Sequence, residues 1–388
     1  MKLKRASVTL LGAAFLMATS AIGPGFLTQT TVFTAQLGAS FGFAILLSFL
    51  LDVGAQVNIW RVITVSELPA PQLSNRVLPG LGTALTLLVL LGGLAFNIGN
   101  IAGCGLGMQV LSGVPSWLGA SISAILSIAL FWAKEAGRIL DWFAKVLGLL
   151  MILLTAWVAF SNDYDGLQIA KGMFWPDRLD PLALLTIVGG TVGGYISFAG
   201  AHRLLEAGMS GTSALNQVTK SAYTGIGIAT LMRLLLFLAA FGVVSSGAEI
   251  DPSNPPASVF QHAAGNLGYR FFGLVMWSAA ITSVVGCSFT TISFVTATFP
   301  QTTAKKPWLI GLFVMISAGI FLCIGKPVQL MILAGTVNGF ILPVALAAIL
   351  IAAENTSLMK GYRLPIAWKS AGWAIVLLMG SMAIYSLL

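Results

Sequence analysis

The sequence predicts an all-α membrane protein of about eleven transmembrane helices, in which two five-helix repeats lie in opposite orientations in the bilayer. Hydrophobic residues make up 57% of the 388 positions and charged residues only 8%, whereas soluble domains carry about 25% charged residues. The apolar runs have about the 20 residues that one bilayer crossing requires. Glycine interrupts two of these runs, the first and the sixth, which is typical of secondary transporters built from inverted repeats.

Apolar runs and the polar segments between them divide the chain into spans. In order, the spans cover residues 8–37, 41–65, 81–111, 115–132, 139–160, 182–209, 222–244, 269–299, 308–324, 328–353 and 366–387. The basic residues before the first run also fit a secretory signal peptide. Because that run continues into a glycine break, we interpret it as the first transmembrane helix. The segments 161–181 and 245–268 are expected to be the two longest outer loops.

The distribution of Lys and Arg predicts the orientation of these spans. If the N-terminus is cytoplasmic, most of the 20 Lys and Arg residues fall in cytoplasmic segments, as the positive-inside rule requires. The net charge of +8 is consistent with this bias. The sequence has no basic patch interleaved with aromatic residues, so we expect no nucleic-acid partner. We therefore expect a monomeric, multi-pass protein of the inner (plasma) membrane, whose partners are the lipid bilayer and a small-molecule substrate.

The positions of the two breaks set the domain organisation. We expect a single transporter domain over residues 1–388, with a first repeat at about 8–160 and a second at about 182–353. An odd number of spans in each repeat makes the two repeats insert in opposite orientations. The last span, 366–387, is then an additional helix.

Backbone groups at the breaks are the first candidates for substrate binding. Gly23, Pro24 and Gly25 interrupt the first span, and Gly193 and Gly194 interrupt the sixth. An unwound segment frees carbonyl and amide groups that are tolerated in a membrane only where they line a cavity or lie buried in protein. The N-terminal ends of half-helices also attract anions. Alternatively, these glycines only kink the helices or allow close helix packing.

Short motifs in three spans resemble those of a known transporter family. They are Gly23-Pro24-Gly25-Phe26 followed by Gly42-Phe43, then Gly189 to Tyr195, and Leu342-Pro343. They resemble the NRAMP divalent-metal transporters, which share the LeuT-type fold, in which the first break reads Asp-Pro-Gly-Asn and the sixth span Gly-Ala-Thr-Val-Met-Pro-His. The resemblance implies the LeuT-type fold and transport by alternating access.

The departures from the family pattern remove its metal ligands. The family's aspartate aligns with Gly23, its asparagine with Phe26, its methionine with Gly193 and its histidine with Tyr195. Divalent transition metals require carboxylate, imidazole or sulfur ligands, so we predict no metal site and a cavity that suits a small organic solute. An amino-acid-like or carboxylate substrate fits the half-helix ends. Transport of Mn²⁺ or Mg²⁺, as in the family, remains the alternative.

The resemblance also suggests one specific substrate and a set of binding residues. Relatives with the Gly-Pro-Gly-Phe pattern are often encoded beside 5-oxoproline-degrading enzymes, which makes 5-oxoproline a candidate. The predicted substrate-binding residues lie at the two breaks, one turn beyond them, or in the third and tenth spans. They are Gly23, Pro24, Gly25, Phe26, Gln29, Thr30, Asn97, Thr191, Gly193, Gly194, Tyr195 and Asn338.

Charged and hydroxyl residues inside spans are the candidates for coupling and gating. Asp52 and Arg233 lie within apolar runs, where ionisable residues are expensive and mark function by default, although they could instead form a structural pair. His202 and Glu206 share a helix face and could form a proton path, an inner gate or an ordinary polar network. By analogy with LeuT-like relatives, Ile22 with Ser288, Thr290 and Thr291 would form a Na⁺ site.

Other functional classes find little support in the sequence. The three cysteines are far apart and show neither metal-ligand spacing nor a disulfide pattern. No nucleotide-binding or nucleophile motif is present, so we expect a protein that is not an enzyme. We expect no cofactor beyond a coupling ion, Na⁺ or H⁺.

Overall fold

The computed structural model describes residues 22–132 and 136–388, with the side chains of 136–145 excepted, and every regular element in these ranges is helical. The α-helices are α1 (Pro24–Leu37), α2 (Phe41–Ser66), α3 (Ala70–Val77), α4 (Leu81–Ser112), α5 (Ser116–Trp132), α6 (Ala136–Ser161), α7 (Gly166–Phe174), α8 (Pro181–Val192), α9 (Gly194–Glu206), α10 (Leu215–Ser245), α11 (Pro255–Thr298), α12 (Lys306–Ile324), α13 (Pro327–Ala353) and α14 (Ile366–Tyr385). Short 3₁₀ turns connect some of them, including Gly38–Ser40 between α1 and α2.

Eight helical segments of the described residues are long and apolar enough to cross a membrane, or nine if the bent pair α6–α7 is one span. This test does not confirm the predicted number of eleven. It treats α1 with α2, and α8 with α9, as single segments, and α5 has only 17 residues. Residues 8–21, the first half of the predicted first span, lie outside the described residues.

Helix extends into both segments that we predicted to be outer loops. Segment 161–181 contains α7, which is capped by Asp165, whose carboxylate accepts a hydrogen bond from the Leu167 amide at 2.9 Å. Its exposed Leu167, Phe174 and neighbouring Trp175 suit a helix lying in the membrane interface. In segment 245–268, α11 already begins at Pro255 and turns at Gly265, where φ is 60°.

Glycine allows the central helices to approach each other closely. A β-carbon at Gly189 of α8 would collide with the backbone of Gly335 and Gly339 on α13. A β-carbon at Gly103 of α4 would collide with the Pro24 ring at the start of α1. Small residues support membrane helix packing in this way, because lipid offers no hydrophobic drive for helix association. These contacts bring α1, α4, α8 and α13 together around the two predicted breaks.

Candidate substrate site at the helix breaks

The sixth predicted span is broken at Gly193, as the sequence predicts. Helix α8 ends at Val192, Gly193 has φ −52° and ψ 170°, and α9 starts at Gly194. The Asn338 side chain of α13 accepts a hydrogen bond from the Tyr195 amide at 3.0 Å. Its Nδ2 atom donates to the Gly92 carbonyl of α4 at 2.9 Å and to the Ala334 carbonyl at 3.0 Å. Asn338 therefore ties the break to α4 and α13, in addition to its predicted role in binding.

The space that large side chains would take at the second break is already filled. A β-carbon at Gly193 would lie 2.6 Å from the Asn338 β-carbon and would also collide with the Gly189 carbonyl. A β-carbon at Gly194 would collide with Ile341. The loss of the family's methionine therefore does not open a cavity on this side of the break, contrary to our expectation, because Asn338 of α13 and the Gly189 carbonyl occupy the space.

The structure describes the first break from residue 22 onward, which includes the start of α1. Leu27 is the first helical donor, and its amide donates to the Gly23 carbonyl at 3.3 Å. The amides of Gly25 and Phe26 precede it and have no partner within the helix. Gly25 is half-buried, whereas Gly23, Pro24 and Phe26 are buried. The helix thus presents its N-terminal end at the break.

Gln29 bridges three helices one turn beyond the first break. Its Nε2 atom donates to the Met331 carbonyl of α13 at 2.9 Å. Its Oε1 atom is buried without a hydrogen-bond partner and would lie 2.5 Å from a β-carbon at Gly190 of α8. An unpartnered buried oxygen of this kind can accept a hydrogen bond from a ligand.

A buried guanidinium group lies beside the first break. The Arg233 side chain of α10 is 2% exposed, and its Cζ atom is 4.2 Å from the centroid of the Phe26 ring. Its Nη2 atom makes a long hydrogen bond of 3.5 Å to the Ile187 carbonyl of α8, while its Nε atom has no partner. Phe26 thus supports a cation by a cation–π contact. The sequence singled out both residues but did not place them together.

Tyr195 and the two threonines take up separate positions. The Tyr195 ring packs against Phe96 at a centroid distance of 6.0 Å, and its hydroxyl makes a long hydrogen bond of 3.4 Å to the Cys287 carbonyl. The hydroxyl groups of Thr30 and Thr191 donate to backbone carbonyls one turn back in their own helices. Hydroxyls bonded in this way remain able to accept a hydrogen bond.

Asn97 faces another helix. Its Nδ2 atom donates to the Ser317 hydroxyl of α12 at 3.0 Å, and the side chain is fully buried. The side-chain amide is therefore directed towards α12. The sequence analysis grouped it with the break residues because a polar residue in an apolar span does not reveal which neighbour its helix face meets.

The residues of the proposed Na⁺ site have other neighbours in the structure. Thr290 accepts a hydrogen bond from Arg203 of α9 at 3.3 Å, Thr291 lies against Gly93 of α4, and the Ser288 hydroxyl donates to the Val284 carbonyl. The start of α1 meets α11 at Ala280, which like Pro24 adjoins Gly103. Ala280 lies two turns before Ser288, and no described contact joins Ile22 to the three hydroxyls.

His202 and Glu206 lie at the other end of α9. His202 Nε2 is 3.4 Å from Glu206 Oε1, and its ring packs edge-on against Phe294 of α11. Lys306, at the start of α12, places its Nζ atom 4.1 Å from the Phe289 ring centroid. His202, Glu206 and Lys306 therefore form a charged cluster where α9, α11 and α12 meet, and a gating role for it remains a prediction.

One cavity was not foreseen from the sequence. It has a volume of about 410 Å³ and lies between the α1–α2 connection, α7 and Phe241 of α10. Lys171 and Arg178 line it together with Asp177, whose carboxylate is 4.0 Å from the Lys171 ammonium group. The only signal in the sequence is that these two cations fall in a predicted outer segment, against the general charge bias.

The described residues contain no group of three or more His, Cys, Asp or Glu side chains that could hold a metal ion. At the breaks, the side chains are apolar, amide, hydroxyl or aromatic, and the Arg233 guanidinium is in contact with Phe26. The donor set therefore fits an anionic or polar organic group better than a divalent cation.

Comparisons of the sequence identify its family. The family model described as natural resistance-associated macrophage protein-like (Nramp) matches residues 14–388. The uncharacterized membrane protein YcsG of Bacillus subtilis is 51% identical over 378 residues, covering 97% of this chain and 94% of its own length. An uncharacterized membrane protein of Haemophilus influenzae is 49% identical over 370 residues, covering 95% of this chain and 93% of its own.

Solved structures show the same fold at low sequence identity. A manganese transporter of Eremococcus coleocola superposes with a TM-score of 0.74 at 16% identity, covering 97% of this chain and 86% of its own. MhsT in complex with L-phenylalanine gives 0.65 at 15% identity and covers 96% of this chain and 98% of its own. Mhp1 gives 0.58 at 15% identity and covers 97% of this chain and 90% of its own. Mhp1 and MhsT are LeuT-fold transporters, so the predicted fold class is confirmed, apart from the number of helices. The chain belongs to the Nramp family and is a multi-pass membrane transporter with the LeuT-type fold.

Proposed function

We propose that this protein is a secondary active transporter of a small organic anion, a carboxylate such as 5-oxoproline. The proposal rests on one observation above all, the buried Arg233 guanidinium beside the first helix break. Arg233 is in contact with Phe26, the residue that stands where the family pattern has a metal-binding asparagine. A buried cation needs an anionic partner, and guanidinium groups suit the planar geometry of carboxylates.

The start of α1 supports the same type of ligand. The amides of Gly25 and Phe26 lie at a helix N-terminus, where the helix dipole favours negative charge. The Arg233 guanidinium lies 4.2 Å from the ring of Phe26, the second of these residues. A carboxylate placed there would meet two amides and a guanidinium. The unpartnered Gln29 Oε1 could accept a hydrogen bond from a ring N–H such as that of a lactam.

The same charge disfavours a divalent metal substrate. A guanidinium held close to the site repels cations, and this repulsion is strong in a low-dielectric interior. Among the described residues, no three carboxylate, imidazole or thiolate groups lie close enough together to hold a metal ion. The metal alternative draws on the fold shared with the Eremococcus coleocola manganese transporter. At 16% identity, that likeness concerns the fold and not the substrate.

Alternating access would use the break as a hinge. Helices α1, α2, α8, α9 and α10 would move as a bundle against α4, α11 and α13. Gln29 and Asn338 join the bundle to α13 through hydrogen bonds. Because each of these two side chains makes only a few polar contacts, the contacts can break and re-form during a conformational change of modest free energy. The substrate would bind between the two groups of helices.

The test is ligand-dependent thermal stabilisation of the purified protein, with one panel of divalent metals and one of small carboxylates. We expect 5-oxoproline or another carboxylate to raise the melting temperature while Mn²⁺ and Mg²⁺ do not, because only a ligand of the folded state stabilises it. Stabilisation by micromolar Mn²⁺ or Mg²⁺, with all carboxylates inert, would contradict the proposal and favour the metal alternative.

Variants of Arg233 make the test specific. Arg233→Gln should abolish stabilisation by the carboxylate, and Arg270→Gln, which alters an exposed cation, should leave it unchanged. Since Arg233→Gln leaves Asp52 as an uncompensated buried charge, it can destabilise the fold. The double variant Asp52→Asn/Arg233→Gln removes both charges and should fold without binding the carboxylate. Carboxylate binding by this double variant would show that the guanidinium is not the binding group.

A further inference from the structure

Asp52 and Arg233 are opposite charges buried at the same depth as Phe26. The side of the membrane with the α1–α2 connection is called the outer side here, in line with the predicted topology. The end of α10 lies on that side too, because Phe241 and residues 36–40 line the same cavity. Phe26, Asp52 and Arg233 each lie about three turns from the outer ends of their helices. That depth is about half the thickness of the hydrocarbon core.

The two charges are incompletely paired. Asp52 is 1% exposed, and neither of its carboxylate oxygens has a hydrogen-bond partner. Asp52 and Arg233 attract each other electrostatically but are not joined by an ion pair within 4.0 Å. A structural buried pair usually satisfies its remaining donors and acceptors, because the free energy of desolvation is otherwise uncompensated. The unused oxygens of Asp52 and the unused Arg233 Nε therefore indicate groups that exchange partners.

Arg233 is also the one charged group of the described residues that acts on Asp52. The helices packed against α2 carry other ionisable side chains, but these have other neighbours or lie at helix ends. They are Lys220 and Tyr223 on α10, Tyr195, His202, Arg203 and Glu206 on α9, Lys369 and Tyr385 on α14, Lys171 on α7 and Arg76 on α3, with Arg61 on α2 itself. Helices α1, α8 and α13 carry none.

We propose that Asp52 is the proton-binding group that couples transport to a proton gradient, and that Asp52 and the substrate carboxylate alternate as the partner of Arg233. This inference rests on the proposed function. In the empty carrier, the Arg233 cation and the Asp52 anion sum to zero. When a carboxylate binds Arg233, the buried site would carry one negative charge unless Asp52 takes up a proton. The proton comes from the side to which the site is open and leaves with the substrate on the other side.

The charge balance fixes the stoichiometry. One proton moves with each monocarboxylate, so the loaded and the empty carrier are both neutral at this site. A net charge in the membrane interior is expensive, so the two neutral states interconvert more readily than a charged one. Uptake is then driven by a proton gradient and is insensitive to the membrane potential. Proton uptake on binding also tightens carboxylate affinity by about tenfold for each unit of lower pH where the coupling operates.

Replacing Asp52 by Asn changes these properties in a defined direction. The empty carrier then keeps the Arg233 charge without a counterion, and the loaded carrier is neutral. Each transport cycle therefore moves one negative charge. Carboxylate affinity should be higher and independent of pH, because no carboxylate competes for Arg233. A proton gradient should no longer accumulate substrate, whereas an inside-positive potential should.

The experiment uses the full-length protein in proteoliposomes, with radiolabelled 5-oxoproline or the carboxylate that gives the largest thermal stabilisation. Substrate counterflow without any gradient measures binding and translocation. Accumulation is then measured under a pH gradient, a potassium–valinomycin potential and a Na⁺ gradient. Glu67→Gln is the matched control, since Glu67 follows α2 and pairs with Lys360 at the surface. It should retain wild-type coupling, as should Asp52→Glu, which keeps a carboxyl group.

The outcomes separate the inference from the proposed function. The inference is supported if the pH gradient, and not the membrane potential, drives substrate accumulation by the wild type. The Asp52→Asn variant must show the reverse dependence while it retains counterflow. The inference would be overturned, and the function left intact, if counterflow occurs but the pH gradient does not drive accumulation or a Na⁺ gradient does. The same holds if a pH gradient still drives accumulation by Asp52→Asn. If Asp52→Asn does not fold, one proton taken up per carboxylate bound by the wild type decides the question. Absence of counterflow with every carboxylate would overturn the function and the inference together.

Discussion

At the residue scale, Gly193 is required by space and not by its backbone conformation. Its φ of −52° and ψ of 170° are open to any residue. The constraint comes from the Gly189 carbonyl and the Asn338 β-carbon, which occupy the position of a side chain. The same helix break therefore depends on close packing between α8, α9 and α13.

This argument predicts opposite effects for two glycine substitutions. Gly193→Ala should destabilise the protein by about 1–3 kcal/mol, because backbone atoms would have to move. Gly227→Ala, in α10, should be neutral or stabilising by up to about 1 kcal/mol, since nothing lies within 4 Å of its β-carbon and alanine favours helix. Thermal unfolding in detergent measures both. Equal melting temperatures for the two variants would contradict the packing argument.

At the element scale, three helices meet at the side chain of Asn338. It accepts a hydrogen bond from the Tyr195 amide in the first turn of α9 and donates to a carbonyl of α4, from a position in α13. In a membrane, such groups lack water as an alternative partner. Asn338 thus holds the broken helix against the helices that we expect to remain still during transport.

Asn338→Ala should therefore destabilise the protein by about 1–3 kcal/mol for each buried group left without a partner. The matched control is Asn355→Ala, whose side chain caps exposed amides of Ser357 and Leu358. Water can replace that oxygen, so the control should change the melting temperature little. A wild-type melting temperature for Asn338→Ala would show that the break does not depend on this side chain.

Elements were easier to predict than their ends. The apolar runs correspond to helices throughout the described residues, because about 20 apolar residues in lipid have no alternative to a helix. The helix α7 was assigned to a loop, because nine residues with apolar side chains on one face give no span signal. The early start of α11 was missed for a similar reason, since Pro255 reads as a loop residue but is favourable at the first turn of a helix.

At the scale of the whole molecule, we expect the orientation in the membrane to follow the Lys and Arg bias. We predict that Ser253, in the segment before α11, is outside, and that Thr303, in the segment before α12, is cytoplasmic; both are exposed. In a Cys323→Ala background, a membrane-impermeant maleimide should label Ser253→Cys in intact cells and Thr303→Cys only after permeabilisation. The two remaining native cysteines are buried. The reverse labelling pattern would invert the topology.

The candidate site could be predicted only in part from the sequence. Glycine breaks are visible in a sequence because few residues tolerate an interrupted helix, and the break at Gly193 was placed correctly. The neighbours of a side chain are not visible, because they depend on which face of each helix meets another helix. Asn97 was therefore grouped with the break residues although it bonds to Ser317. The expected space beside Gly193 proved to be filled by Asn338 for the same reason.

The sequence by itself determined the membrane class, the family, the helix breaks and the absence of the family's metal ligands, since these depend on composition and on residue types along the chain. Only the tertiary structure decided that Arg233 stacks on Phe26 and attracts Asp52. These residues are far apart in the chain and lie on three different helices. Their proximity results from the packing of α1, α2 and α10, which brings two charges to one depth in a medium where neither can remain alone.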